Sequence, residues 1–149
     1  MDREVNDLVN LFLNILHAFS ILEKKPWDFG TGNKIYLTEI QTVSMIGEHS
    51  DLNMTQLADF MGVTRGAISQ TVRKLVAKKL VVRTSTRNHK EINLELTDFG
   101  QMVSIAYQAR MKEVFTFADE LYASATPSER DLVKRLFLRI YSNIKNRIQ

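Results

Sequence analysis

"GVTRGAISQTVRKLVAKKLVVRTSTRNHK", residues 62–90, is the stretch that decides how the rest of the chain is interpreted. Its 29 residues contain eight of the chain's 20 Lys and Arg residues and none of its 17 Asp and Glu residues. The remainder is therefore acidic, although the whole chain has a formal net charge of +3. So concentrated a positive charge predicts a polyanionic partner, and nucleic acid is the first candidate.

The composition is that of a globular protein. The 149 residues, 44% of them hydrophobic and 25% charged, suit a single subunit, and the lack of cysteine excludes disulfides and thiolate metal sites. The N-terminus carries acidic residues where a signal peptide carries basic ones. The apolar stretch from Leu8 to Leu22 is interrupted by polar residues, and we expect it to be too short and too polar to span a bilayer. We therefore expect a cytoplasmic protein with no membrane segment.

Hydrophobic periodicity and helix-capping patterns predict a mainly helical chain. A first helix over about residues 3–24 carries a broad apolar stripe, which suits either a core face or burial against a second subunit. Capping residues then predict helices that begin at Thr38 (with Gln41 completing a capping box), Thr55, Thr64, Thr97 and Thr126. The helices after Thr64, Thr97 and Thr126 extend over residues 64–78, about 98–123 and 127–148.

The segment after the predicted helix over residues 64–78 changes to a period of two. Ile92, Leu94 and Leu96 alternate with polar residues, which predicts a strand that pairs with residues 80–84. The basic stretch 85–90 then forms the hairpin tip. The predicted fold class is mainly α with a small β-hairpin wing, in which two short helices joined at Gly62 form a winged helix-turn-helix.

This arrangement predicts how the positive charge meets DNA. The polar face of helix 64–78 is suited to the major groove, and the hairpin tip to the narrow, negative minor groove. A solvated basic helix face is common and proves nothing by itself, but 29 acid-free residues on two adjacent elements favour DNA binding. The candidate DNA-binding residues are Thr55, Thr64, Arg65, Gly66, Ser69, Gln70, Arg73, Lys74, Arg87, His89 and Lys90.

The stretches "LTEIQTVSMIG", "MTQLADFMGVTRGAISQTVRKL", "LVVR" and "NLELTDFG" resemble the winged-helix core of the MarR family of transcription regulators. The resemblance implies that residues 1–149 form one subunit with a DNA-binding lobe at 38–97. It implies that residues 1–25 and 98–149 are dimerisation helices. It further implies a homodimer on a pseudo-palindromic operator in double-stranded DNA, commonly a repressor relieved by a small-molecule effector.

The chain departs from the family pattern at the end of the recognition helix and in the wing. Lys79 stands where the family often has glycine, and a left-handed conformation there costs lysine about 1 kcal/mol relative to glycine. The family usually has an aspartate in the wing two residues before its arginine, and here those two positions are Asn88 and Lys90. We therefore expect a less firmly braced wing.

Other functions have less support. Trp27, Phe29, Tyr36 and Met45 lie where the family's effector crevice would fall, although packing of this loop on the core is the favoured explanation. The sequence indicates no metal site, cofactor or catalytic constellation, so we expect no enzyme. The alternative function is a winged helix that binds a protein and has lost specific DNA binding. A membrane-surface role is disfavoured because the basic face lacks a large apolar counterpart.

Overall fold

The computed structural model describes residues 2–30, 32–49, 52–85 and 92–148. In that part of the chain the order of elements is α1 (Arg3–Lys24), α2 (Leu37–Glu48), α3 (Met54–Met61), α4 (Arg65–Ala77), β1 (Val81–Ser85), β2 (Ile92–Leu96), α5 (Asp98–Ser124) and α6 (Pro127–Ile148). β1 and β2 form an antiparallel hairpin. The predicted mainly α fold with a small hairpin wing is confirmed.

The chain divides into two compact units, residues 1–109 and 110–149. The first unit contains the hydrophobic core, to which α2, α3, α4, the hairpin and the beginning of α5 contribute. Its most deeply buried side chains are Ile35, Ile40, Val43, Leu57, Ile68, Val72, Leu75, Leu80, Val81 and Val103. This core supports α4 from beneath and so fixes which face of α4 remains exposed.

The start of α2 differs from the prediction of a capping box between Thr38 and Gln41. The backbone N–H of Trp27 donates to the Ile35 carbonyl at 2.7 Å, which holds the chain extended up to Tyr36. The helix therefore begins at Leu37, and the N–H of Tyr36 donates to Oε2 of Glu39 at 2.9 Å. This backbone pairing overrides the local preference of threonine for the capping position.

The start of α3 also differs, because Asn53 and not Thr55 is the capping residue. Oδ1 of Asn53 accepts the backbone N–H groups of Thr55 at 3.0 Å and Gln56 at 2.9 Å. Oε1 of Gln56 in turn accepts the Asn53 N–H at 3.1 Å. Both asparagine and threonine favour this position, and the reciprocal bond to Gln56 decides between them.

α1 has no buried residue, although much of its surface is apolar. It has 22 residues, and its length and composition are sufficient for a helix that crosses a bilayer. The expectation that this stretch is too short and too polar was therefore wrong. Length and composition do not decide its environment, because helices that pack in soluble proteins share them.

The second unit contains the end of α5 and the whole of α6. The predicted capping box at Thr126 is confirmed: its N–H donates to Oε2 of Glu129 at 2.7 Å. The pKa of Glu129 is lowered, mainly by the hydrogen bond from the backbone N–H of Thr126 and to a smaller extent by the hydrogen bond from its hydroxyl. No residue between 110 and 147 is buried, and the exposed apolar side chains include Phe115, Phe117, Leu121, Leu132, Leu136, Phe137 and Tyr141.

Candidate nucleic-acid interface

The turn between α3 and α4 has the predicted geometry. Gly62 adopts a left-handed conformation with φ of 65°, and its N–H bonds back to the Asp59 carbonyl. Two residues later, the Thr64 hydroxyl accepts the N–H of Ala67 at 3.2 Å and so caps α4. Glycine adopts this conformation without steric cost, which explains why α3 ends at this point.

One face of α4 is buried and the other is exposed, as the periodicity predicts. Ile68, Val72 and Leu75 enter the core, whereas the neighbouring Val76 is 37% exposed. The opposite side carries the candidate DNA-binding residues of this helix. Arg65, Gly66, Gln70, Arg73 and Lys74 are exposed and Ser69 is partly buried.

The basic side chains on this outer face keep their charge uncompensated. In the described ranges Arg65, Arg73 and Lys74 form no ion pair with an acidic side chain. Nε of Arg73 donates to the Ser69 carbonyl of its own helix at 3.4 Å, which holds the guanidinium close to α4. A Cβ added to Gly66 would meet no atom closer than 3.9 Å, so the backbone there is open to an approaching ligand.

Lys78 differs from its basic neighbours because it contacts the protein itself. Its Nζ lies 2.6 Å from Oε2 and 2.7 Å from Oε1 of Glu39, whose side chain is buried. The same ammonium donates to the Lys34 carbonyl at 2.7 Å. One of the eight positive charges in residues 62–90 is thus neutralised within the fold.

Lys79 ends α4 in the predicted left-handed conformation, with φ of 58°. Its carbonyl accepts the Thr97 hydroxyl at 2.6 Å, and the Leu80 carbonyl accepts the Thr97 N–H at 3.1 Å. The Thr97 hydroxyl also accepts the Gly100 N–H at 3.0 Å. Thr97 therefore joins the end of α4 to the beginning of α5.

The role of Gly100 was not predicted from the sequence. A Cβ at Gly100 would lie 2.0 Å from the Leu80 carbonyl oxygen, so only glycine fits at this crossing. The available signal was a glycine in the first turn of a predicted helix, three residues after the capping Thr97.

The wing is described only in part. Val81 pairs with Leu96 and Arg83 pairs with Leu94, so β1 begins one residue later than predicted. The Thr84 hydroxyl donates to Oε1 of Glu95 at 2.7 Å across the outer side of the hairpin. The candidates Arg87, His89 and Lys90 lie outside the described residues, as does Asn88, and they remain predictions.

The remaining candidates are not brought together. Thr55 is exposed in the first turn of α3. Trp27 stacks on Phe29 with ring centroids 6.2 Å apart, and both pack with Met45 against the core. Tyr36 is separate, since its ring lies beneath Nζ of Lys78 at 5.7 Å. The contacts of Trp27, Phe29 and Met45 agree with the packing interpretation, and an effector site at these residues stays a prediction.

Metal-ligating side chains are also scattered. In the described part of the chain no three His, Asp or Glu residues are grouped so that they could hold a metal ion.

Comparisons with known proteins agree with this geometry. Residues 36–90 match the sequence profile of the MarR family. Over 81 residues the chain is 30% identical to an uncharacterised HTH-type transcriptional regulator, YhjH, of Bacillus subtilis (strain 168). That match includes 54% of this chain and 46% of YhjH, so it spans about half the length of the relative.

Two solved structures are similar over nearly the whole chain. The adhesin competence repressor AdcR of Streptococcus pyogenes is 16% identical with a TM-score of 0.74, covering 97% of this chain and 99% of AdcR. FabT of Streptococcus pneumoniae, in complex with DNA, is 16% identical with a TM-score of 0.66, covering 97% of each chain. At this identity the similarity shows the fold. The chain therefore contains a winged helix-turn-helix in which residues 36–90 match the MarR-family model, within a fold that is similar to these proteins over almost all of its length.

Proposed function

We propose that the protein is a homodimeric transcription regulator that binds a specific pseudo-palindromic site in double-stranded DNA. The observation that carries this proposal is the outer face of α4, which is exposed and contains no acidic residue. It presents Arg65, Arg73 and Lys74, which form no ion pair with the acidic residues that the structure describes. A helix of this diameter fits the major groove, where arginine, glutamine and serine side chains can bond to base edges.

The N-terminus of α4 adds a second element of the interface. Thr64 satisfies the N–H of Ala67, and the N–H groups of the preceding first-turn residues are available to a phosphate. Arg65 lies at the same end of the helix and is exposed. Phosphate contacts there would set the register of α4, while Ser69, Gln70 and Arg73 contact the bases.

The dimer is inferred from apolar surface that has no partner within either unit. α1 in the first unit exposes Leu8, Leu11, Ile15 and Phe19, among other apolar residues. The second unit, taken by itself, exposes an equally apolar set on α5 and α6. Patches this extensive mark an interaction surface, and we assign residues 1–25 and 98–149 to dimerisation and residues 38–97 to the DNA-binding lobe.

The relatives supply the regulatory part of the proposal. FabT is known in complex with DNA, and AdcR is named a repressor. Because the chain is similar to these two proteins, we propose that it acts as a repressor in the cytoplasm. A small-molecule effector remains part of the proposal only by family resemblance, because Trp27, Phe29 and Met45 pack against the core.

Selection from a pool of random DNA duplexes tests the proposal. We expect enrichment of an inverted repeat whose half-sites lie about 10–10.5 bp apart, or a small multiple of that spacing, as two-fold protein symmetry requires. A variant carrying both Arg65→Ala and Arg73→Ala serves as the matched control and should enrich no site. Enrichment of no site by the wild-type protein would refute the proposal and favour the alternative of a protein-binding module.

A further inference from the structure

The Lys78 ammonium has its hydrogen-bonding capacity taken up inside the protein. It has three donors, and it lies within 2.7 Å of both Glu39 carboxylate oxygens and of the Lys34 carbonyl oxygen. Its side chain is 24% exposed, compared with 7% for that of Glu39. These contacts direct Lys78 towards α2 and leave no donor for a DNA phosphate.

Glu39 connects this contact to two further parts of the fold. Oε2 also accepts the Tyr36 N–H at 2.9 Å, so the carboxylate caps the beginning of α2 while it binds Lys78. A buried carboxylate needs such partners, because its burial without them is strongly unfavourable. The end of α4, the extended residues 34–36 and the first turn of α2 therefore meet at one charged group.

The position of Lys78 makes this contact important for the direction of α4. Lys78 is the C-cap residue, and α4 extends from there to Arg65 over about 20 Å at 1.5 Å per residue. A tilt of about 10° around this end would therefore move Arg65 by roughly 3 Å, comparable to the whole length of a hydrogen bond. Apolar packing of Ile68, Val72 and Leu75 is non-directional, whereas the contacts of Lys78 are directional.

We propose that Lys78 is a positioning residue for DNA recognition and not a phosphate contact. Its bonds to Glu39 and the Lys34 carbonyl set the angle at which α4 enters the major groove. This inference depends on the proposed function, since it concerns the same interface. It predicts that two lysines of one basic segment, Lys74 and Lys78, differ in their effect on DNA binding.

The test uses three variants of the contact: Lys78→Met, Glu39→Gln and the double variant that combines these two changes. Lys74→Met is the comparison variant. For each we would measure affinity for the wild-type-selected site and for a random duplex over 50–200 mM salt. Lys78→Met should weaken binding to the selected site about tenfold or more and leave the salt slope on random DNA unchanged. Lys74→Met should reduce the slope by about two on both DNAs, roughly one for each subunit of the dimer, if Lys74 contacts a phosphate. The double variant should bind like the weaker single variant, because both changes remove the same contact.

A purely structural role would give a different result. Thermal unfolding, followed by circular dichroism, establishes that every variant is folded at the assay temperature. A variant that is folded but only less stable should keep its preference for the selected site over random DNA. If Lys78→Met does not fold, Glu39→Gln is used in its place, because it keeps the shape of the side chain. The positioning role then predicts the same loss of affinity for the selected site in Glu39→Gln. Lys78→Arg, which keeps charge and donors, should retain most of that affinity.

The failures of the two proposals are distinguishable. No selected site for the wild-type protein would overturn the DNA-binding function itself. A selected site that Lys78→Met and Glu39→Gln bind as tightly as wild type would overturn only the positioning role. A salt slope that falls by about two in Lys78→Met, roughly one for each subunit, would do the same, because it would make Lys78 a phosphate contact.

Discussion

Replacement of Lys79 by glycine should make the protein more stable. Lys79 has φ of 58°, in the left-handed region, where an L-residue with a Cβ is strained by about 1–2 kcal/mol. Glycine removes this strain but gives the unfolded chain more conformational freedom, which costs about 0.4–1 kcal/mol. The net gain is about 1 kcal/mol. The two backbone bonds of this residue, from its N–H to the Val76 carbonyl and from the Thr97 hydroxyl to its own carbonyl, remain possible in glycine.

The assay is thermal unfolding followed by circular dichroism, at a fixed protein concentration because dimerisation would otherwise shift the transition. For a domain of this size, a gain of about 1 kcal/mol raises the melting temperature by roughly 2–4 °C. Lys74→Gly is the matched control: it changes the same residue type within α4, where glycine should destabilise by about 1 kcal/mol. An unchanged or lower melting temperature for Lys79→Gly would refute the argument from backbone strain.

Three further changes test other parts of the account. Gly100→Ala should destabilise by about 3 kcal/mol or more, because the new Cβ would lie 2.0 Å from the Leu80 carbonyl oxygen; a melting temperature near that of wild type would contradict this contact. Gly66→Ala, where the Cβ has open space, should raise stability by up to about 1 kcal/mol and weaken DNA binding by obstructing close approach; tighter binding would remove Gly66 from the interface. Affinity for the selected site should fall about 10³–10⁵-fold between 50 and 200 mM salt if the dimer neutralises some 6–10 phosphates, and binding that ignores salt would count against an electrostatic interface.

The sequence predicted those features that depend on local backbone chemistry. Gly62 is left-handed and Thr64 and Thr126 are capping residues, as expected. Each of these depends on residues within about four positions, so a single stretch of sequence contains the relevant information. The exposed polar face of α4 follows in the same way from the buried positions that alternate with it.

The sequence did not predict features that depend on distant partners. α2 begins at Leu37 because Trp27 and Ile35 pair as extended chain, which no capping pattern indicates. The sequence does not distinguish Lys78 from the other seven basic residues of its segment. Only the fold places it beside Glu39, which lies 39 positions earlier in the chain. A periodicity argument also cannot show that a carbonyl lies against Gly100.

The most direct test of the account is the effect of Arg73→Ala on the wild-type-selected site and on random DNA, measured at one salt concentration. Lys112→Ala, which removes an exposed charge on α5, is the control and should change neither affinity appreciably. If Arg73 bonds to a base edge, its loss should cost about 1–3 kcal/mol on the selected site and much less on random DNA. An equal loss on both DNAs, or no loss on either, would contradict the claim that Arg73 on the outer face of α4 recognises the DNA sequence.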